Sequence, residues 1–287
     1  MKPAEMDGGG LTAIRVDMAD YEYAGEGANG VSYNHRRDPD VMLKLYHPGK
    51  VEQPLDEMRI ARKVFDAGIP TPEPGDYVTD GIRYGIRFRR IRGKVSYARA
   101  VGDHPEEVVP LAEEFAAMCR ELHATHVDTS VFECVKDRYL RQLAENPFFS
   151  TEEKDRLTRF IQDAPDTDTA IHGDLQFGNA IFAGGKRYFI DLGDFCYGYP
   201  LFDIGMVYST AFLSDAGFVR EAFHMEPATA VRFWQAFAPA YFGKDRPLDA
   251  IEAEVRPFAG LKTIIVERDM GCPMPSFREA LKPILQP

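Results

Sequence analysis

Short apolar runs separated by turn residues dominate the first third of the chain and predict β-strands. Residues 11–16, 31–33 and 41–46 form such runs. A fourth run alternates, with Ile82, Tyr84, Ile86 and Phe88 on one side against Arg83, Arg87 and Arg89 on the other. Period two is typical of a half-buried strand, because successive side chains point to opposite faces of a sheet. Asp80-Gly81 precedes this run and predicts a hairpin, so we expect a small antiparallel sheet here.

One helix is expected within this β-rich part. Pro54 suits the first position of a helix, and the helical pattern ends before Gly68. The apolar side at helical spacing comprises Leu55, Met58, Ala61 and Phe65.

Helical spacing dominates after residue 95. One stripe consists of Val109, Ala112, Phe115, Cys119 and Leu122. Ser150 followed by Glu153 predicts a capping box, and Pro200 suits the first residue of a later helix. The tail from Pro227 is also helical in pattern, with Pro239 and Pro257 expected to kink or divide it. The sequence therefore predicts an α+β protein: a β-rich domain over residues 1–93 and a larger, mainly helical domain over residues 94–287.

A second predicted hairpin lies in the helical part. Gly184-Gly185 separates the apolar runs 180–182 and 188–190, which indicates a tight turn with positive φ angles. Asp174 and Asn179 precede the hairpin, and Asp191 follows it. We expect the hairpin to bring these three side chains together.

Carboxylate and amide oxygens suit Mg²⁺, which uses few protein ligands and keeps positions for water and substrate phosphates. Zinc is not expected, because His172 stands alone and the loop contains no cysteine. The alternative is that these residues only shape turns, which Asp and Asn do readily. The spacing H-x-D-x4-N followed by D-L-G favours a functional site.

Two further features favour phosphate binding. Gly25, Gly27 and Gly30 form G-x-G-x-x-G between two β-prone runs, whereas a dinucleotide-binding fold would continue into a helix. Lys44 is a single lysine inside the apolar run 41–46, where a buried ammonium group needs a partner. The alternatives are glycines that serve only a turn and a lysine on the solvated face of an edge strand.

The residues from His172 to Gly193 resemble the catalytic loop and metal-binding turn of the aminoglycoside phosphotransferase and choline kinase group. This resemblance implies a bilobal protein-kinase-like fold, with an antiparallel β-rich N-lobe and a helical C-lobe. It also implies ATP as the phosphoryl donor, Mg²⁺ and a small hydroxyl acceptor. By the same resemblance, Asp174 would be the catalytic residue, and Asn179 and Asp191 would hold the metal.

The resemblance extends to supporting residues. Gly25, Gly27, Gly30 and Lys44 would bind the nucleotide phosphates, and Glu57 would hold Lys44, with Glu52 as the second candidate. Asp203 would brace the catalytic loop from beneath, although an acid in the first turn of a helix also complements the helix dipole. His123 is expected to be a packed structural histidine.

The composition agrees with a folded enzyme of this kind. The chain has 287 residues, is 45% hydrophobic and begins without the apolar core of a signal peptide. Its four dispersed cysteines are those of a reduced, cytoplasmic protein. Residues 1–94 carry 15 basic and 15 acidic residues, and the remainder carries 19 and 30. This acidity disfavours nucleic acid, even though residues 87–94 are locally basic, and slightly favours a cationic acceptor.

Two other functions compete. A Ser/Thr protein kinase is disfavoured, because Gly173 replaces the usual arginine and only six residues separate Gly193 from Pro200. That leaves no room for a long activation segment. A catalytically inactive nucleotide-binding protein is disfavoured because each expected position is filled. The acceptor stays open among aminoglycosides, choline or ethanolamine, sugars and amino-alcohols.

Overall fold

The structure, a computed structural model, describes residues 12–27 and 29–286. The predicted leader over residues 1–10, Leu11, and Ala28 of the glycine motif lie outside the described residues. The chain divides into two compact units. Unit 1 runs to Lys94 and also includes Phe182–Asp194, and unit 2 contains Val95–Ile181 and the chain from Phe195 onward.

Unit 1 is built on a sheet. Its strands before Lys94 are β1 (Ile14–Arg15), β2 (Tyr21–Gly27), β3 (Gly30–His35), β4 (Val41–Tyr46), β5 (Pro74–Thr79) and β6 (Tyr84–Arg89). Among the described residues the order is β1-β5-β6-β4-β3-β2, and every pair is antiparallel except β1 with β5. Leu43, Leu45 and Val78 are fully buried beneath the sheet. The predicted antiparallel sheet is confirmed.

The predicted hairpin at Asp80-Gly81 is also confirmed, but Ile82 does not belong to its apolar face. Ile82 lies in the turn before β6 and is 77% exposed, whereas Ile86 is fully buried. The Asp80 carboxylate accepts hydrogen bonds from the backbone of Ile82 and Arg83, so the turn extends past the predicted boundary.

The helix of unit 1, α1 (Glu52–Asp66), begins two residues before Pro54 and buries a different face from the one predicted. The buried residues are Pro54, Glu57, Ala61 and Val64, while Leu55, Met58 and Phe65 are only half-buried. The predicted face was one residue out of register because a hydrophobic pattern gives no weight to a buried acid. Glu57 lies at the centre of the face that packs inward.

Unit 2 is mainly helical, as predicted. Its short strands are β7 (Val95–Ser96), β8 (Ala170–Ile171) and β11 (Cys196–Tyr197). Its helices are α2 (Tyr97–Asp103), α3 (Val108–His123), α4 (Val135–Glu145), α5 (Thr151–Asp163), α6 (Leu201–Phe212), α7 (Ala216–Phe223), α8 (Pro227–Phe242), α9 (Leu248–Leu261), α10 (Thr263–Met270) and α11 (Pro275–Leu285).

Aromatic side chains from α3, α8 and the loop after β8 form the centre of unit 2. Phe115, Phe177, Phe233 and Phe237 are fully buried, and the Phe177 and Phe233 ring centroids lie 4.3 Å apart. The predicted stripe on α3 is correct except at Val109, which is 46% exposed while Val108 is buried in its place. Val108, the first residue of α3, lies four positions before Ala112 and therefore belongs to the same buried face.

Helix ends in unit 2 follow the sequence closely. The capping box of Ser150 and Glu153 is present at the start of α5. Pro200 immediately precedes α6 as its N-cap. Pro239 and Pro257 do not divide the tail, because they lie inside α8 and α9. Each proline lacks one backbone N–H, and the fully or largely buried neighbours Ala238 and Phe258 keep the helices packed.

The second predicted hairpin consists of β9 (Ala180–Ala183) and β10 (Lys186–Phe189). Gly184 and Gly185 form its turn with φ of 56° and 75°, a conformation that costs glycine little. In the described part of the chain, no helix is both long and apolar enough to cross a membrane.

Candidate active site

The glycine motif lies on β2 and β3, and its glycines differ in what they contact. A side chain at Gly30 would overlap the backbone of β4, because a Cβ would lie 2.2 Å from the Leu45 oxygen. Gly30 is therefore required by the sheet itself. A Cβ at Gly25 or Gly27 would meet no described atom within 4 Å. These two glycines leave open space beside the backbone, which suits the close approach of a ligand.

Lys44 is the centre of a cluster in unit 1. It lies in β4, opposite Ser32 of β3 and Ile86 of β6. Its Nζ lies 2.9 and 3.1 Å from the Glu57 carboxylate oxygens and 2.9 Å from Asp191 Oδ1. The partner acid on α1 is thus Glu57, whereas Glu52 is an exposed residue of the first turn.

The Lys44 cluster, defined as Lys44, Glu57 and Asp191, carries one cation against two acids. The side chains of Lys44 and Glu57 are 15% and 6% exposed, and that of Asp191 is 37% exposed. Burial raises the pKa of Glu57 to about 7, with Asp191 adding to the effect and Lys44 opposing it. Burial alone lowers the pKa of Lys44, but the two carboxylates outweigh it and hold the pKa above its ordinary value.

Tyr46 is a member of this site that sequence reasoning missed. Its hydroxyl group donates a hydrogen bond to Glu57 Oε2, and its ring lies 4.9 Å from Lys44 Nζ. Tyr46 is fully buried at the end of β4. In a sequence, a tyrosine at the end of an apolar strand cannot be distinguished from an ordinary core residue. Only its position two residues after Lys44, on the same face of the strand, could have indicated the contact.

Asp191 reaches Lys44 through an unusual backbone. Its φ of 61° lies in the left-handed region, which few residues other than glycine adopt and which Asp tolerates better than most. A short 3-10 helix over Leu192–Asp194 follows immediately and packs against α1, the helix that carries Glu57. The chain after β10 is therefore fixed to the same helix that orients Lys44.

Asp174 and Asn179 form the second cluster, in the loop of unit 2 between β8 and β9. The Asn179 amide nitrogen donates to the backbone oxygen of Asp174 at 2.9 Å and to its Oδ2 at 3.0 Å. Both hydrogens of the amide are used in this way, so its oxygen remains to act as a ligand. Asn179 is 5% exposed and the Asp174 side chain is 31% exposed.

The loop that carries Asp174 is held from beneath by Asp203, as predicted. The Asp203 carboxylate is fully buried and accepts hydrogen bonds from the backbone N–H of His172 at 2.7 Å and of Gly173 at 2.8 Å. His123 bridges Asp203, at 3.1 Å, and the Tyr241 hydroxyl, at 2.7 Å. His123 is 3% exposed in its side chain, which agrees with the structural role expected for it.

Lys262 is the second residue that sequence reasoning missed. It lies between α9 and α10, and its Nζ is 3.2 Å from Asp174 Oδ1. Burial raises the pKa of Asp174, but the charge of Lys262, and then that of His172, outweighs burial and holds the pKa below its ordinary value. An isolated lysine 88 positions from Asp174 belongs to no motif, so no signal in the sequence identified it.

The structure thus brings together Lys44, Glu57 and Asp191 within unit 1, and Asp174 with Asn179 within unit 2. The donor set fits magnesium better than zinc, since it consists of oxygen atoms and carries an excess of negative charge. Among the described residues, no group of three or more His, Cys, Asp or Glu side chains could hold a metal ion. The described residues therefore contain no site in which protein side chains of these types alone would surround a metal ion.

Comparison with known proteins was made by sequence and by structure. A sequence profile described as "Phosphotransferase enzyme family" matches residues 24–243. A comparison with curated protein sequences finds no match. Solved structures with the same fold include a thermostable mutant of the aminoglycoside phosphotransferase APH(4)-Ia in a ternary complex with ADP and hygromycin B. It has a TM-score of 0.62 and 15% identity, over 93% of this chain and 94% of that one.

Two further structures share the fold at similarly low identity. The amicoumacin kinase hAmiN, in complex with AMP-PNP, Ca²⁺ and Ami, has a TM-score of 0.54 and 16% identity, over 96% of this chain and 89% of that one. A choline/ethanolamine kinase family protein from Mesorhizobium loti has a TM-score of 0.50 and 17% identity, over 92% and 85%. At these identities the structural similarity concerns the fold, which is the mixed kinase-like fold that the sequence predicted.

Proposed function

Because the chain belongs to the phosphotransferase enzyme family and is a phosphotransferase of the kinase type, we propose that it transfers the γ-phosphoryl group of ATP to a hydroxyl group of a small molecule. Mg²⁺ is the proposed metal ion of this reaction. The observation that carries this proposal is the Lys44 cluster. In protein kinases a strand lysine paired with a helix glutamate contacts the nucleotide phosphates, and a nearby aspartate holds Mg²⁺.

The nucleotide is proposed to bind at unit 1. Lys44 contacts the phosphates, Glu57 orients Lys44, and Gly25 and Gly27 leave space for the phosphates beside β2, while Gly30 maintains the sheet. Support comes from the short distances within the Lys44 cluster and from the open space at the two glycines. The relatives with ADP and AMP-PNP bound support a nucleotide donor.

Asn179 and Asp191 are the proposed magnesium ligands. The Lys44 cluster has two carboxyl groups against one ammonium group, and Asp191 is the most exposed of its three side chains. Asn179 directs its amide hydrogens toward Asp174, which leaves an oxygen for a metal. A bound Mg²⁺ would neutralise the charge that develops on the phosphate oxygens during transfer.

Asp174 is the proposed catalytic residue. Its carboxylate orients the acceptor hydroxyl group and receives its proton, and Asp203 holds the loop so that this carboxylate stays in place. Positioning of this kind supplies much of the rate in phosphoryl transfer, because the protein contributes little covalent chemistry. The acceptor is a small molecule rather than a protein, since the described chain passes from β11 to α6 without a long activation segment.

The decisive experiment measures ADP release from ATP with and without Mg²⁺, in the presence of a panel of sugars, amino-alcohols and aminoglycosides. The proposal predicts release that requires both Mg²⁺ and one of the acceptors. Thermal stabilisation of the protein by MgATP is measured in parallel. Stabilisation without any Mg²⁺-dependent release would show an inactive nucleotide-binding protein, and release only with a protein substrate would show a protein kinase.

A further inference from the structure

The Asp174 carboxylate, which is proposed above as catalytic, is paired with a positively charged side chain. Lys262 Nζ lies 3.2 Å from Asp174 Oδ1, and Asn179 donates to Oδ2 at 3.0 Å. The Lys262 side chain is only 14% exposed, at the junction of α9 and α10. Both oxygens of the carboxylate therefore have protein partners, and the one that binds Oδ1 is a full cation.

This pairing changes what the carboxylate attracts. An unpaired, partly buried carboxylate draws in an ammonium group strongly, because charges interact more strongly there than in water. A carboxylate already paired with a lysine has no net charge to offer. An acceptor with an ammonium group next to its reacting hydroxyl would also bring a second cation close to Lys262, which is unfavourable at short range.

Of the acidic side chains on the neighbouring helices, two are paired with arginine side chains of unit 2, and a third is held by a neutral hydrogen-bond donor. Glu254 pairs with Arg246, and Glu267 pairs with Arg278. Glu252 accepts a hydrogen bond from the Trp234 indole. The excess acid of the chain after residue 94 is therefore not evidence of a cation-binding acceptor site around Asp174.

We propose that Lys262 is a specificity-determining residue that excludes cationic acceptors from Asp174, so that the acceptor is an alcohol without an ammonium group beside the reacting hydroxyl, such as a neutral polyol or sugar. This inference rests on the proposed function, since it concerns the acceptor of that reaction. It opposes the slight preference for cationic acceptors that the net charge of the sequence indicates.

The test compares neutral and cationic probes of the same shape. Choline is paired with 3,3-dimethylbutan-1-ol, and ethanolamine with ethylene glycol. Their binding to the protein with MgADP is measured by NMR titration for the wild type and for Lys262→Gln, Lys262→Arg and Lys244→Gln. Lys262→Arg keeps the charge, and Lys244 is an exposed lysine of unit 2 that serves as the matched control.

We expect the wild type to bind the neutral member of each pair about tenfold or more tightly than the cationic one. Lys262→Gln should shift this ratio about tenfold toward the cation, while Lys262→Arg and Lys244→Gln keep the wild-type ratio. A wild type that prefers choline overturns the proposal. So does an unchanged ratio in Lys262→Gln, an equal shift in Lys244→Gln, or the absence of probe binding to every variant.

Two safeguards keep the result decisive. If Lys262→Gln does not fold, the wild-type ratio and the Lys262→Arg ratio still confirm or overturn the exclusion of cations. Because the ratios are measured by binding, they do not depend on turnover. Loss of the proposed function would appear separately, as an absence of Mg²⁺-dependent phosphoryl transfer with every acceptor.

Discussion

The Lys44 cluster of unit 1 and the Asp174 loop of unit 2 both hold a lysine against a carboxylate, but they are built differently. Lys44 is shared by Glu57 and Asp191, so that cluster has more acidic than basic groups and is held together by side chains. Asp174 pairs with Lys262, and its loop is fixed by backbone N–H groups that donate hydrogen bonds to Asp203. An excess of acidic groups suits a metal ion, whereas a balanced, braced carboxylate suits a fixed role toward a hydroxyl group.

The largest effect that distinguishes the two regions is expected at Lys44. Lys44→Met removes the only cation of its cluster, so we expect turnover to fall by about 10²- to 10³-fold. Affinity for MgATP should fall with it. Steady-state kinetics and calorimetric titration of MgATP measure the two quantities.

Lys50→Met is the control for this change, because Lys50 is exposed just before α1. It should behave as the wild type does. If Lys44→Met bound and used MgATP normally, Lys44 would have no role with the nucleotide, and the contrast between the clusters would lose its functional meaning.

A smaller effect on turnover is expected at Asp203, which holds the Asp174 loop in place. Asp203→Asn replaces an acceptor of two backbone hydrogen bonds by a group that can accept through only one oxygen. Hydrogen bonds to charged groups contribute about 1.5–3 kcal/mol each, so the free energy of unfolding should fall by about 3 kcal/mol. Turnover should fall while MgATP affinity is kept, because the nucleotide is proposed to bind at the Lys44 cluster.

Urea denaturation and the same kinetic assays test this prediction. Asp245→Asn, at an exposed position, is the control and should change neither quantity. A loss of MgATP affinity in Asp203→Asn as large as the loss of turnover would show that the two regions are not separable in function.

A substitution in the Glu267–Arg278 pair is expected to change the stability of the protein but not its function. Glu267 is fully buried, and its carboxylate accepts from Arg278 Nε and Nη2 at 2.6 and 2.7 Å and from the Met274 backbone at 2.6 Å. Glu267→Gln should lower the free energy of unfolding at neutral pH by about 3 kcal/mol, since it removes the closest charged partner of a mostly buried arginine. Turnover per folded molecule should stay unchanged.

The pH dependence of this loss has a definite sign. Burial alone raises the pKa of Glu267, but its hydrogen bonds with Arg278 and Met274 outweigh burial and hold the pKa below its ordinary value of 4.5. The stabilisation is therefore fully present above pH 4.5 and is lost as the pH falls through the lower, folded-state pKa. Urea denaturation from pH 7 to pH 3 should show wild type and variant converging in acid. Glu279→Gln, in an exposed pair with Lys282, is the control, and a difference that persists in acid would contradict the prediction.

The smallest effect is expected at Tyr46, which sharpens the description of the Lys44 cluster. Tyr46→Phe keeps the buried ring and removes the hydrogen bond to Glu57. One such bond contributes about 1 kcal/mol, so MgATP affinity should fall by a factor of about five. Tyr23→Phe, on a ring that is 66% exposed, should have no effect. Equal affinities in the two variants would show that Tyr46 only packs.

The sequence predicted the features that are local or carried by a motif. The sheet and the glycine-turned hairpin were predicted because each combines a turn signal with an apolar pattern, and the acid that holds Lys44 was indicated by the resemblance to the family. Glu57 was predicted as the partner of Lys44, but its burial was not predicted. The buried face of α1 therefore differs from the predicted one by one residue. A buried, paired acid violates the hydrophobic pattern, and tertiary contacts decide the outcome.

The features that were missed are long-range contacts between residues without a motif. Lys262 meets Asp174 across 88 positions, and Tyr46 reads as an ordinary core residue. Ile82 and Val109 were assigned to buried faces by periodicity alone, but Ile82 lies in a turn and Val108 takes the buried position at the start of α3. Periodicity describes a regular element, and it fails at the ends where the backbone leaves that element.

The most direct test of the central claim is one variant measured twice. Asp174→Asn is prepared, and its turnover and its MgATP dissociation constant are determined on the same sample. If Asp174 acts in the chemistry and the nucleotide binds at the Lys44 cluster, turnover falls by about 10²- to 10⁴-fold while the dissociation constant changes by less than about twofold. Turnover that persists in Asp174→Asn, or MgATP binding that is lost along with it, would contradict the account.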